Sequence, residues 1–202
     1  MPMPATVLEV PVSGVTEERD PGLELYERME PIEGFSMEYL GGALVMMATL
    51  NTIHNRIVDL IRECIPRSRF QPWHDQAVAI TGSNDRPDPD LTITHADHAD
   101  DFFKALPSEL VLLVLEVVST TRGAKIRDYQ EKPPIYAQGG IPVYLLVDPN
   151  DGTWLLHTEP SPEKGEYRTL CKGDFGHPVE LPAPLDGILV PTDRFRRYPS
   201  DL

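Results

Sequence analysis

A glutamate inside an otherwise apolar run, LVLLVLEVV at residues 110–118, constrains the fold of this chain most. An uninterrupted series of Leu and Val predicts a strand that is covered on both faces, as at the centre of an α/β sheet. A carboxylate in such a strand is costly unless it is paired or binds a metal ion. We therefore expect Glu116 to hold a metal or to form a buried pair with an arginine.

The segments around this run predict a mixed sheet. Residues 70–81 and 89–94 have the pattern of strands before it, and residues 143–147 form a second buried strand after it. A helix should begin at Asn51 or Thr52, which can cap it, and end at Pro66. The fold class that follows is α/β, with a mixed central sheet flanked by helices.

The two ends of the chain differ from its middle in composition. Residues 1–22 are rich in Pro, Gly and acids and predict a flexible lead-in, so that residues 23–202 would form a single domain. Residues 24–30 predict a short helix, and residues 35–47 predict a hairpin that turns at Gly41-Gly42. Prolines punctuate residues 178–202, which predicts an irregular tail wrapped over the surface.

Composition narrows the class of protein. A net charge of −14 argues against a general nucleic-acid binder, although four basic residues in 119–132 could form a mildly basic face or simply be solvated. Cys64 and Cys171 suggest neither a metal site nor a disulfide framework, which favours a reducing, cytoplasmic location. No apolar run approaches the roughly 20 residues of a membrane span. We expect no membrane contact.

Asp90 and Glu116 together suggest a site for a hard cation. Two carboxylates on adjacent strands can share Mg²⁺, which keeps several waters, and Mn²⁺ is the alternative cation. The backbone carbonyl of Val117 could supply a third oxygen. Lys132 could then reach the same pocket and neutralise charge on a phosphate. Without a metal, two such carboxylates should repel each other, so one of them should have an unusually high pKa.

Simpler interpretations exist for each residue. Asp90 could be a turn residue that binds nearby backbone groups, and Lys132 could form a surface ion pair with Asp128. The polar loop that follows also suggests a zinc site, but tetrahedral zinc needs a fixed frame, so we expect solvated side chains there. The loop residues in question are His95, Asp97, His98, Asp100 and Asp101.

Several short motifs follow one another between residues 35 and 148. In order they are Met37-Glu38-Tyr39-Leu40-Gly41-Gly42, His54, Pro89-Asp90-Leu91, Leu115-Glu116-Val117-Val118-Ser119, Arg127-Asp128, Lys132, Tyr136, Gly140-Ile141-Pro142 and Tyr144-Leu145-Leu146-Val147-Asp148. Their order resembles the Uma-two family of endonucleases, a branch of the PD-(D/E)XK restriction-endonuclease-like nucleases.

The resemblance implies a role for individual residues. Asp90 and Glu116 are the implied metal ligands and Lys132 the implied catalytic lysine, while Glu38 and His54 are accessory candidates. The superfamily usually has a lysine two residues after the glutamate, where this chain has Val118. Pro133-Pro134 follow Lys132 directly, which predicts that Lys132 lies outside the α region and that the helix breaks there.

Three functions are compatible with the sequence. The first is a Mg²⁺-dependent endonuclease acting on DNA, with a homodimer suggested by the superfamily. The second is a catalytically lapsed nuclease fold kept as a binding or assembly module, which the acidic charge and the proline pair favour. The third is a phosphoesterase acting on a small substrate, for which an acidic surface is less of an obstacle.

Overall fold

The computed structural model describes residues 20–30, 33, 35–48 and 51–199. In chain order the helices are α1 (Pro21–Arg28), α2 (Thr52–Glu63), α3 (Arg122–Ile126) and α4 (Lys132–Gln138). The strands are β1 (Phe35–Leu40), β2 (Ala43–Ala48), β3 (Phe70–Trp73), β4 (Val78–Ala79), β5 (Leu91–His95), β6 (Leu106–Pro107), β7 (Val111–Val117), β8 (Val143–Asp148), β9 (Thr153–Ser161), β10 (Glu166–Asp174), β11 (Val179–Glu180) and β12 (Leu189–Val190).

The central sheet contains six strands in the order β10-β9-β8-β7-β5-β3. Only β7 and β8 run parallel, while every other neighbouring pair in this sheet is antiparallel. A parallel pair needs a crossover connection, and α3 and α4 provide it. The mixed sheet predicted from the sequence is confirmed, and β7 is buried along its whole length.

The N-terminal elements match the prediction in kind and differ in their bounds. The hairpin of β1 and β2 turns at Gly41 and Gly42, which have φ angles of 56° and 82°, as a two-residue turn requires. Helix α1 starts at Pro21 because the side chain of Asp20 accepts hydrogen bonds from the next backbone amides. Asn51 caps α2 in the same way. The predicted lead-in before Asp20 lies outside the described residues.

The predicted continuous strand over residues 70–81 is wrong. Strand β3 ends at Trp73, and Asp75 has a φ of 47°, which turns the chain out of the sheet. The chain then forms β4, which pairs with β6 in a separate two-stranded sheet. This detour covers one face of the central sheet, where Val78 and Leu106 join the core.

The C-terminal segment follows an irregular course but does more than wrap the surface. Its β11 and β12 form a short hairpin, and Leu181, Leu185 and Phe195 are buried against the sheet. The apolar residues between the prolines therefore fill the core on the α2 side. None of the helices in the described ranges has the length and hydrophobicity needed to cross a bilayer.

Candidate active site

Asp90 and Glu116 lie side by side on neighbouring strands. Strands β5 and β7 pair with Leu91 opposite Leu115, so the next position of this register places Asp90 beside Glu116 on the same face. The Asp90 Oδ2 atom accepts a hydrogen bond of 2.7 Å from the backbone amide of Val117. Asp90 is therefore fixed to the end of β7 by a long-range contact, which the interpretation as a local turn residue does not explain.

A widened helical turn places Lys132 on the face of the sheet that carries Asp90 and Glu116. Residues Arg127–Glu131 form a π-helical turn between α3 and α4, and the amide of Lys132 donates to the carbonyl of Arg127, five residues earlier. Proline rings collide with the carbonyl four residues before them in an α-helix, and a π turn relieves that conflict. The prediction that Lys132 leaves the α region is wrong, because its φ and ψ are −73° and −38°.

The ammonium group of Lys132 is surrounded by carboxylates. Its Nζ lies 2.8 Å from Glu116 Oε1, 2.9 Å from Glu38 Oε1 and 3.6 Å from Asp128 Oδ1. Only 1% of Lys132 is exposed. The interpretation of Lys132 and Asp128 as a surface ion pair is therefore wrong, and Glu116 is paired with a lysine where an arginine was the expected alternative.

Glu38 reaches the site through the hairpin. The backbone groups of Tyr39 and Arg86 exchange hydrogen bonds of 3.1 and 2.7 Å, which attaches β1 to the segment that precedes β5. Glu38 is fully buried, and its Oε1 also accepts a hydrogen bond of 2.9 Å from the amide of Asp88. The accessory carboxylate named from the sequence thus lies beside Lys132.

His54 contacts the same site from the start of α2. Its Nε2 lies 3.1 Å from Asp90 Oδ2, and its side chain is almost fully buried. Burial lowers the pKa of His54, but the charge of Asp90 and the hydrogen bonds of the ring together raise it by more, so that the net shift is upward. The Nδ1 atom has no partner among the described residues. The histidine and the amide of Val117 therefore contact the same oxygen of the Asp90 carboxylate.

Three further residues belong to the site and were not singled out as site residues from the sequence. The hydroxyl of Tyr136 donates to Glu116 Oε1, and Asp128 faces Lys132. Asp88 contributes a carboxyl group whose Oδ1 is buried without a partner in the described part of the chain. The spacing could have found two of them, since Asp128 and Tyr136 lie four residues before and after Lys132.

We call the five acids around Lys132 the carboxylate cluster, and they are Glu38, Asp88, Asp90, Glu116 and Asp128. Burial raises the pKa of Glu116 well above its ordinary value, which Lys132 opposes and the neighbouring acids reinforce. Burial likewise raises the pKa of Asp88 to about 7 and that of Asp128 to about 6.

The pKa of Lys132 is also raised, which favours its charged form. Burial would lower the pKa of Lys132, but the carboxylates around it raise that pKa well above its ordinary value. The lysine therefore stays charged, while Asp88, Glu116 and Asp128 retain protons more readily than ordinary carboxyl groups do. Glu116 has the raised carboxyl pKa expected from the sequence, but burial is its main cause and repulsion by Asp90 contributes less.

The site lies in a cleft of about 1300 Å³. Asp90, Glu116 and Lys132 all line it, as do Val117 and His54. Residues of α1 and of the β1–β2 hairpin line it as well. The side chain of Asp90 is 15% exposed, whereas Glu116 is only 4% exposed, so Asp90 is the more accessible carboxylate.

The donor set fits a hard divalent cation. Buried carboxylate oxygens without partners are unfavourable, and neither Glu38 Oε2 nor Asp88 Oδ1 has a partner in the part of the chain that the structure describes. Oxygen ligands and a surplus of negative charge are what Mg²⁺ and Mn²⁺ prefer. Within the described ranges, no three His, Cys, Asp or Glu side chains are arranged to hold a metal ion as they stand. Mg²⁺, however, is usually held by one or two carboxylates, with waters and phosphates completing its shell.

The polar loop after β5 behaves as expected. His98 Nδ1 lies 2.8 Å from Asp101 Oδ2 in an exposed pair, and Asp97 and Asp100 lie nearby in sequence on the same surface segment. His95 stacks on Phe70. These side chains do not line the cleft.

Known proteins share this architecture. Residues 23–192 match the family model "Uma2: Putative restriction endonuclease". A solved structure, described as "a putative nuclease belonging to DUF820 from Anabaena variabilis ATCC 29413", matches with a TM-score of 0.59 and 14% identity. The match covers 80% of this chain and 89% of that one, and at this identity it shows the fold. No curated protein matches the chain.

Proposed function

The chain belongs to the Uma2 family of restriction-endonuclease-like proteins, and we propose that it is a divalent-metal-dependent endonuclease that hydrolyses phosphodiester bonds in DNA. One observation carries this proposal. Carboxylates from two neighbouring strands and a lysine from the following helix converge at one end of a solvent-reachable cleft. Fold alone would not support a reaction, because one fold hosts many functions.

Asp90 and Glu116 would hold the cation, with Mg²⁺ as the first candidate and Mn²⁺ as the second. A bound divalent cation lowers the pKa of a coordinated water and polarises a phosphoryl oxygen. The backbone carbonyl of Val117 remains the proposed third oxygen, and Glu38 is the accessory carboxylate. His54 and the amide of Val117 both contact Asp90 Oδ2, so these two groups fix the orientation of that carboxylate.

Lys132 is proposed to stabilise negative charge on the phosphate in the transition state. Its ammonium is held in place by Glu38 and Asp128 as well as by Glu116. When Glu116 turns an oxygen toward a cation, the other two carboxylates keep Lys132 charged and oriented. Preorganised charge of this kind, in a site shielded from water, contributes more than the same charge in solution.

The test is Mg²⁺-dependent cleavage of supercoiled plasmid and of single-stranded circular DNA. We expect the substitutions Asp90→Asn, Glu116→Gln and Lys132→Met each to reduce cleavage by about a hundredfold or more. Asp101→Asn is a matched control, because this exposed acid pairs with His98 outside the cleft. Cleavage that survives in Asp90→Asn and Glu116→Gln, or that the wild-type protein lacks in both Mg²⁺ and Mn²⁺, would contradict the proposal.

One observation favours a second candidate, a nuclease fold that binds DNA without cleaving it. Lys132 is 1% exposed and already neutralised by carboxylates, so it reaches a phosphate only after these contacts rearrange. A binding module predicts the same DNA affinity with and without Mg²⁺ and no turnover. The endonuclease predicts turnover that depends on Asp90 and Glu116.

A further inference from the structure

An apolar surface lines the cleft that also contains Asp90, Glu116 and Lys132. Phe35, Met37 and Met46 line the cleft from the β1–β2 hairpin, and Tyr26 lines it from α1. Met37 and Met46 are cross-strand partners, so alternation places Phe35, Met37 and Met46 on one face of the hairpin. We call these four residues the apolar wall. Phe35 is 49% exposed and Met46 is 45% exposed, so both are accessible to a ligand.

The apolar wall argues for a ligand with exposed ring faces. In a duplex the base faces are stacked inside, and a protein surface meets phosphates, sugars and base edges. In an unpaired strand the base faces are free to stack on aromatic and apolar side chains, and such stacking depends little on sequence. An apolar surface beside a phosphate-cleaving site therefore suits an unpaired strand better than a duplex.

Two cations of the cleft are held by backbone carbonyls and acids lie beside them, which disfavours tight duplex binding. Affinity for duplex DNA comes largely from many phosphate contacts made by Lys and Arg. In this cleft Lys104 donates to the carbonyl of Glu27, and Arg86 donates at 2.9 Å to the carbonyl of Asp85. Glu27, Glu30 and Asp75 also line the cleft and repel phosphates. Stacking on the apolar wall is thus needed to supply binding energy.

Arg127 is the cation best placed to meet the phosphate. It lies one π-helical turn before Lys132, so both side chains project from the same side of this segment. Arg127 and Lys132 both line the cleft, and the Arg127 Nε is buried without a partner among the described residues. The guanidinium lies over Gly123, where an added Cβ would be 3.3 Å from one of its nitrogens.

We infer that the cleft takes an unpaired DNA strand, with bases stacked on the apolar wall and the phosphate to be cleaved between Arg127 and Lys132. The assignment of the phosphate rests on the proposed endonuclease function, whereas the binding of an unpaired strand does not. The cleft of about 1300 Å³ exceeds the roughly 300–1,000 Å³ of small-molecule pockets, as a site for several nucleotides should.

Binding and cleavage are measured separately. Fluorescence anisotropy in Ca²⁺ compares a labelled oligonucleotide with the same oligonucleotide annealed to its complement. We expect at least tenfold tighter binding of the unpaired strand. In Mg²⁺, the enzyme should cut the unpaired strand, or an unpaired flap on a duplex, faster than the blunt duplex. A duplex that binds as tightly as the unpaired strand would overturn the inference.

Two pairs of variants test the assigned contacts. Phe35→Ala should weaken binding of the unpaired strand by about fivefold or more, whereas Phe102→Ala should not, because Phe102 is 94% exposed and lies outside the cleft. Arg127→Met should weaken binding and reduce its salt dependence, with the exposed Arg168→Met on β10 as its control. Equal effects of Phe35→Ala and Phe102→Ala would contradict the apolar wall.

The outcomes also separate this inference from the proposed function. Preferential binding of the unpaired strand without any cleavage would leave the inference standing and remove the endonuclease. Metal-dependent cleavage with equal or tighter binding of the duplex would keep the endonuclease and remove the inference.

Discussion

Leu115 and Glu116 are neighbours on β7, yet their side chains lie on opposite faces of the same sheet. Leu115 is fully buried in the larger apolar core, beneath α2 and the C-terminal segment. Glu116 lies on the other face, between Val114 and Val118, where Lys132 and Tyr136 approach it from α4. Both faces have an apolar core. The Glu116 face also carries a buried network of charges, so we call it the charged face and the Leu115 face the apolar face.

The difference indicates that the apolar face mainly stabilises the fold, whereas the charged face provides the groups that can take part in chemistry. The apolar face requires only residues of suitable size and shape, and it is insensitive to pH. The charged face is stable only when its charges are balanced, which makes it sensitive to protons and cations. A buried ion network is therefore weak evidence for stability and better evidence for function.

We expect the largest loss of stability when Lys132 is replaced, because it is the only buried lysine among the described residues. Lys132→Met leaves the carboxylate cluster without that cation, and breaking a buried pair typically costs about 3–5 kcal/mol. We expect a loss of this size in the free energy of unfolding at pH 8, measured by urea denaturation. The loss should be smaller at pH 5, where the acids can take up protons.

Glu116→Gln is the matched comparison. It keeps the shape of the side chain and leaves Lys132 in contact with Glu38, so its stability should lie close to that of the wild type. Equal losses at pH 5 and pH 8 for Lys132→Met would show that packing, and not charge balance, holds this face together.

The next largest effect belongs to the apolar face. Leu115→Ala should reduce the free energy of unfolding by about 2–5 kcal/mol, because it removes buried methyl groups and leaves a cavity. The loss should be the same at pH 5 and pH 8, in contrast to Lys132→Met. Cleavage per folded molecule, measured well below the melting temperature, should remain within a few-fold of the wild type. A strongly pH-dependent loss would mean that the two faces are not independent.

The sequence predicted the elements whose cause is local. The glycine turn of the β1–β2 hairpin, the Asn51 cap of α2 and the apolar run of β7 each determine their own structure. The predicted site residues Asp90, Glu116 and Lys132 also lie together, because an ordered set of motifs already pointed to one sheet. Their chemical roles remain a prediction.

The features that were missed or wrong depend on contacts that are distant in sequence. Asp88 enters the site only because Tyr39 and Arg86 join the hairpin to the segment before β5. The prolines after Lys132 break a regular α-helix, but tertiary packing is compatible with a π turn that keeps Lys132 helical. The sequence carries no local signal for the position of Asp88, and its proline pair indicates an interrupted helix without showing that a π turn accommodates it.

A third comparison of the charged and apolar faces uses the pH dependence of the wild-type protein's stability. The pKa of Asp88 is raised from 3.8 to about 7 and that of Asp128 to about 6, so the folded state binds more protons than the unfolded state. Their contribution to stability is present below pH 4 and is lost as the pH rises through 6 to 7. The expected loss is on the order of 2 kcal/mol, since one pKa unit corresponds to about 1.4 kcal/mol and coupled acids share protons.

Urea denaturation at pH 5 and pH 8 measures this loss, and Asp88→Asn provides the reference. The variant cannot take up the proton, so its stability should change less between the two pH values. A wild-type stability that rises over this interval, with Asp88→Asn following it in parallel, would contradict the assignment of a raised pKa to this acid.

The smallest expected effect is stabilisation by the cation itself. A ligand that binds only the folded state at ten times its Kd adds about 1.4 kcal/mol, so millimolar Mg²⁺ should raise the melting temperature by a few degrees. Binding should also release protons, because Glu116 and Asp128 have raised pKa values in the absence of metal. Asp90→Asn should abolish both effects, whereas Leu115→Ala should lower the melting temperature and keep the Mg²⁺ response. If the wild type has the same melting curve in the presence and absence of Mg²⁺, that result would count against a metal site on the charged face. It would favour the module that binds DNA without cleaving it.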